Sequence, residues 1–425
     1  MKISSLWKAC LLTGISLGTA WAIRGHFGHE QGATWAGAIG VLALLVVANR
    51  ADWYSRAFRI VLAGAIGWGI GGIMSYGLLV GYGQANDFLN AGYGLLMLFV
   101  VGGLYGYIGG GLVGLALNES ESNKIDWSRL IVEMVIGGIL GYFFIIEQFG
   151  WLMTPPRDEN WAACMGAALM LAWHIQRKGN PAILKVALWS ALGAGFGFAS
   201  GNFYQVIGKT LEIKFNMWNV MEYSIGFWGG IGMAYGVFTS VWPENTEKKP
   251  INYQKFGIIF FTLLLPFIVW DQSFGTPRMT RIYSAIGYQD WVATIQTIAF
   301  VLIPAFFFYW YQRWLSSKEL SSRILDRASV FSYFLSYLGG YIIFSLLVKG
   351  ALFSTKEVEQ YLYLVNFLVL FFGMKNMTES PFATKSISFK QIYLGYVLAI
   401  GIVVLLAWIA FQSHGEMKGM QLRFK

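Results

Sequence analysis

LLTGISLGTAWAIR at residues 11–24 and MVIGGILGYFFIIE at residues 134–147 carry the same glycine spacing. Gly14-x3-Gly18 recurs as Gly137-x3-Gly141, an offset of 123. The register continues outward from there. Trp35-Ala36-x3-Gly40 recurs as Trp161-Ala162-x3-Gly166 at 126, Gly67-x-Gly69-x-Gly71 as Gly193-x-Gly195-x-Gly197 at 126, and Gly102-x3-Gly106 as Gly226-x3-Gly230 at 124. Four motifs in one order at one spacing read as two related four-helix units, which places a site at their interface.

The composition says what kind of helices these are. Of 425 residues, 56% are hydrophobic and 12% charged, against roughly a quarter charged in soluble domains. Thirteen apolar stretches come near the ~20 residues that cross a bilayer as a helix, and none reads as the ~10-residue alternating strands of a barrel. The expected fold is therefore an all-α polytopic membrane protein of about 13 spans. Residues 1–122 form the first unit, 123–245 the second, and 246–425 a C-terminal five-helix addition. Glycine marks the same division, with 40 of the 51 glycines before residue 241. Small residues let helix backbones approach closely in lipid, so the duplicated part is expected to be a tight eight-helix core. The aromatic tail is expected to wrap it, contact lipid or dock a membrane partner subunit.

The net charge of +9 is distributed by loop. The connections after helices 2, 4, 6 and 8 hold eleven Lys and Arg, and those after helices 1, 3, 5 and 7 hold four. That asymmetry places the N-terminus in the cytoplasm of a bacterial inner membrane and leaves no reason to invoke nucleic acid. Cys10 and Cys164 fall inside spans and make no disulfide framework.

The polar residues at the outer ends of the helices are the candidate substrate-binding groups. Arg24 and Glu147 each stand six positions after the second glycine of their motif, and burial near the repeat axis would make them partners. Arg24-Gly25-His26-Phe27-Gly28-His29-Glu30 is the densest cluster, and Arg157-Asp158-Glu159-Asn160 belongs to its counterpart. Asn202, Gln205 and Glu222 complete the set. His26 and His29 lie three apart among glycines, unlike the helical His-x3-His of metalloproteases, so no metal is assigned. Absence of a G-x4-G-K-[ST] loop argues against ATP-driven transport, and no cofactor is expected.

Three functions fit these residues. The first is a secondary transporter or permease for a small polar solute, such as a sugar or zwitterion. The second is an integral membrane enzyme with an outer acid–base or metal-assisted site for a lipid-linked or sugar substrate. The third is a non-catalytic scaffold subunit.

Overall fold

The computed structural model describes residues 4–28, 30–120, 123–244, 249–384 and 386–424. His29 and the side chain of Glu30, both expected at the site, lie outside the described residues. All regular structure among the described residues is helical. Nine of these helices are long and apolar enough to cross a membrane, and the chain is an all-helical, multi-pass membrane protein.

The first part of the chain forms α1 (Ser5–Arg24), α2 (Glu30–Ala48), the single turn α3 (Ala51–Tyr54), α4 (Ala57–Gly71), α5 (Gly77–Tyr82) and α6 (Phe88–Asn118). It continues with α7 (Trp127–Tyr142), α8 (Trp161–Lys178), α9 (Pro181–Thr210) and α10 (Met217–Phe238). Six of these close a ring in the order α1, α2, α4, α6, α9, α10 and back to α1. Glycine permits the close approaches. A Cβ on Gly18 would fall 3.1 Å from that of Phe227, and one on Gly226 would run into the Leu17 carbonyl. At the α6–α9 crossing, a Cβ on Gly106 would meet the Ser190 carbonyl.

α7 stands outside the ring and packs on α8, with Gly137 and Gly141 against Gly166. Ile131, Val132, Val135, Ile136 and Ile139 of α7 are exposed, as suits a lipid-facing helix.

Inside the ring, Trp21, Trp68 and Tyr105 fill the axis. Trp21 meets both other rings edge-on at 5.3 Å, and all three are fully buried. Such T-shaped contacts suit the aromatic quadrupole.

The remaining helices are α11 (Lys255–Ile259), α12 (Leu265–Ser273), α13 (Thr276–Ala285), α14 (Val292–Trp314), α15 (Lys318–Ser322), α16 (Arg327–Val348), α17 (Glu359–Lys375) and α18 (Phe389–Gln412). α12, α16 and α17 lie against α1 and α2, whereas α18 lies against α6 and α9.

The apolar stretch 60–80, one of the thirteen, is not one helix. It ends at Gly71 and resumes at Gly77 as α5, leaving Gly72–Tyr76 as a break. Gly71, Gly72 and Gly77 weaken helix propagation there, since glycine in a helix interior costs ~1 kcal/mol relative to alanine.

Candidate functional site

The break is the wall of a cavity of about 720 Å³ at the end of the ring where α1 stops and α2 begins. Residues 72–78 line it together with Gly25 and His26, Arg157 and Asp158, and Asn216, Trp218, Asn219 and Glu222. The volume falls within the ~300–1,000 Å³ of small-molecule pockets.

At its floor, Glu222 is held by two donors. The Arg24 guanidinium donates to one carboxylate oxygen at 2.9 Å, and the Tyr76 hydroxyl donates to the other at 2.9 Å. Arg24 is fully buried and Glu222 nearly so. The guanidinium also lies 4.6 Å over the Trp21 ring, so the aromatic filling begins directly beside the charged pair. Helical register explains the stacking, because residues three apart share a face of α1.

Sequence symmetry pointed Arg24 toward Glu147, and the structure corrects this. Glu147 is exposed on a turn of π-helix, Phe143–Gln148, that continues α7. α7 packs on α8 outside the ring, whereas α10 packs directly on α1 and carries Glu222 to Arg24.

Several expected ligand-binding residues instead hold the scaffold. Glu159 is buried and accepts from the Met153 and Thr154 amides at 2.8 and 2.7 Å and from the Trp161 indole at 2.7 Å. Asn160 donates to the Ile73 carbonyl at 3.2 Å, and Asn202 donates to the Val80 carbonyl at 3.3 Å and to Gln205 at 3.1 Å. Asn160 thus supplies a donor to the break, and Asn202 one to the short helix that follows it. Irregular backbone in a membrane protein requires such partners. Arg157 and Asp158 remain exposed at the cavity rim.

His26 is 8% exposed. Its Nε2 lies 3.0 Å from the Gln360 amide nitrogen, whose carbonyl oxygen accepts from Ser345 at 2.6 Å. Gln360 therefore presents its N–H to the ring, and Nε2 accepts. Burial, with the Lys349 and Arg278 charges nearby, pushes His26 down to about 3. The imidazole is neutral at physiological pH and anchors the turn, with Arg278 donating to the His26 carbonyl.

Tyr76, Tyr363 and Gln360, with Asn216 and Trp218 of the lining, are not among the residues that the sequence singles out. Tyr363 receives a hydrogen bond from Asn219, which also donates to the Ala22 carbonyl at 3.1 Å. Both Tyr363 and Gln360 come from α17, so the C-terminal region reaches the site. A tyrosine beside glycines at 71, 72 and 77, in a segment otherwise apolar enough to span, was the available signal for Tyr76.

Among the described residues, no group of three His, Cys, Asp or Glu side chains is placed to hold a metal ion. No family model, curated protein or solved structure matches the chain.

Proposed function

We propose that the chain is a secondary transporter or permease for a small, uncharged or zwitterionic polar solute, bound in the Arg24–Glu222 cavity. The supporting observation is a broken helix lining a polar cavity whose lining includes Glu222, held from behind by the buried Arg24. Discontinuous helices at the binding site recur in secondary transporters, where unwound backbone contacts the cargo. The cavity is lined on one side and backed by the Trp21–Trp68–Tyr105 cluster along the ring axis, an arrangement suited to alternating access. The charges balance: Arg157 and Asp158 at the rim, and Glu222 in the lining paired with the buried Arg24. Asn216, Asn219 and the half-exposed face of Trp218 supply hydrogen bonds and a stacking surface. Such a lining favours a sugar or an amino acid over a free ion.

In this reading α11 and α12 together make one span, and with α1, α2, α4 and α5, α6, α7, α8, α9, α10, α14, α16, α17 and α18 the spans number thirteen. The four-helix units 1–122 and 123–245 descend from a duplication. The N-terminus is cytoplasmic in a bacterial inner membrane, and the cavity opens outward. A cysteine at Trp151 then reacts with an impermeant thiol reagent from outside intact cells, and one at Lys124 does not.

The deciding experiment is uptake into proteoliposomes from panels of labelled monosaccharides and neutral amino acids. Saturable uptake that Arg24→Gln and Glu222→Gln each abolish supports the proposal. Absence of uptake for both panels, with turnover of a lipid-linked sugar by the same preparation, would replace transport with the enzyme reading.

A further inference from the structure

We propose that residues 415–424, which follow α18, form the outer gate of the cavity, a strap that leaves its seat when a solute enters or departs. The proposal rests on the reading of the cavity as a solute site. Gly419 and Gln421 of the strap line the cavity together with the break.

The strap is seated on α5 and α6, on the adjacent α9 and on the loop before α8. The Gln421 amide donates to the Gly81 carbonyl of α5 at 3.0 Å. Lys209, in the last turn of α9, donates to the Lys418 carbonyl at 3.2 Å and to Gln84. Arg423 donates to the Leu152 carbonyl at 3.2 Å. The end of the strap enters a socket made by Asn90, which is 2% exposed. Its Oδ1 accepts from the Arg423 and Phe424 amides at 2.6 and 2.9 Å, and its Nδ2 donates to the Phe424 carbonyl at 2.9 Å and to Asp87 at 2.8 Å. The hydrogen-bonding capacity of this amide is thereby filled, mostly by strap backbone.

Two features distinguish a gate from another packed segment. No residue from 415 to 424 is buried, and the anchors described are hydrogen bonds plus the edge contact of Phe424 with Tyr93 at 5.3 Å. Segments held in this way open at low free energy compared with a helix core. In addition, the seat has been kept clear for backbone. A Cβ on Gly81 would fall 3.0 Å from that of Gln421, and Gly419 turns the chain at φ +92°, a conformation that favours glycine.

Ser75, half-buried at the break, provides a reporter as Ser75→Cys in the full-length protein, because Cys10 and Cys164 are buried. An impermeant thiol reagent should label it about tenfold faster after Asn90→Ala, or in a chain ending at His414, than with the strap intact. Should Asn90→Ala fail to fold, the shortened chain, which keeps every helix, decides. Labelling within about twofold of the intact protein would overturn the gate. With Ser75 retained, a Gly81→Cys, Gln421→Cys pair would start from Cβ atoms 3.0 Å apart, closer than the ~3.5–4.5 Å of a relaxed disulfide, so the bond forms once the strap backs off by about half an ångström without leaving its seat. Oxidation should stop uptake and reductant restore it, whereas undiminished uptake in the oxidised protein would also overturn the gate. Faster labelling without uptake of any solute by the intact protein leaves the gate standing and removes the transporter reading. Unchanged labelling with saturable uptake removes the gate alone.

Discussion

Arg24 and Glu147 occupy the same place after the same glycine motif, yet one is fully buried and the other is exposed. The difference lies in what the glycines meet. Gly14 and Gly18 of α1 are pressed against α10, next to Gly226 and Gly230, so the last turn of α1 ends beside Glu222. Gly137 and Gly141 of α7 are pressed against α8 outside the ring, and the helix runs on into an exposed π turn. A four-residue glycine spacing specifies how closely a helix is approached. It does not name the neighbour, and the neighbour decides what a polar residue six positions later will do.

The sharpest way to break this comparison is to remove the α10 carboxylate. Glu222→Gln leaves the Arg24 guanidinium in a buried place facing an amide, and Arg24→Ala leaves Glu222 with Tyr76 as its remaining described donor. Breaking a buried pair from one side costs roughly 3–5 kcal/mol, so both variants should melt far below the wild type in detergent. Melting within a degree or two of the wild type would mean that the pair is hydrated and the floor of the cavity open.

A second test uses pH. The His26 imidazole is held down to about 3 by burial and by Lys349 and Arg278, against ~6.5 when unfolded. Between these values the unfolded chain binds the proton and the folded chain does not. Stability contributed by this site is therefore intact above ~6.5 and declines as pH falls, by up to about 1.4 kcal/mol per unit. The protein should lose stability between pH 6.5 and pH 4.5 more steeply than His26→Gln. Parallel curves for the two would show that the ring is reached by water and titrates normally.

How much was legible in the sequence follows from the same physics. Apolar length and low charge sufficed for a helical membrane protein, because lipid leaves the backbone few alternatives. Of the candidate polar residues, His26, Arg157, Asp158 and Glu222 line one cavity. Three things were not legible. The first was the partner of Arg24, since Glu222 sits 198 positions away on a helix whose place in the ring is set by packing. The second was the division of labour among the polar residues. Glu159 and Asn160 look alike as candidates in a loop, yet their side chains are spent on local amides and on the Ile73 carbonyl. The third was the break, hidden because residues 60–80 carry no charge and are apolar apart from Ser75 and Tyr76, and hydropathy does not register a helix that stops and restarts.

A third prediction probes the support of the break. Asn160→Ala removes the donor to the Ile73 carbonyl, and losing one such hydrogen bond costs about 1 kcal/mol. The expected result is a modest fall in melting temperature together with altered reactivity at Ser75→Cys, the reporter in the same segment. An effect on melting without any change at Ser75 would place the role of Asn160 in the outer loop rather than in the broken helix.

The smallest effect belongs to the other half of the comparison. Glu147 is exposed on the π turn, and Arg157 is exposed at the rim; surface substitutions away from caps and buried networks usually fall within ±0.5 kcal/mol. Glu147→Gln should therefore leave both melting and uptake at wild-type levels, and combining it with Arg24→Ala should add nothing beyond the single change, because residues without a shared partner contribute additively. Arg157→Gln should match it in stability and yet weaken uptake, since it lines the cavity and Glu147 does not. A loss of uptake in Glu147→Gln equal to that in Glu222→Gln would revive the symmetric pairing, because it would require the π turn to reach the site in a second conformation of the ring.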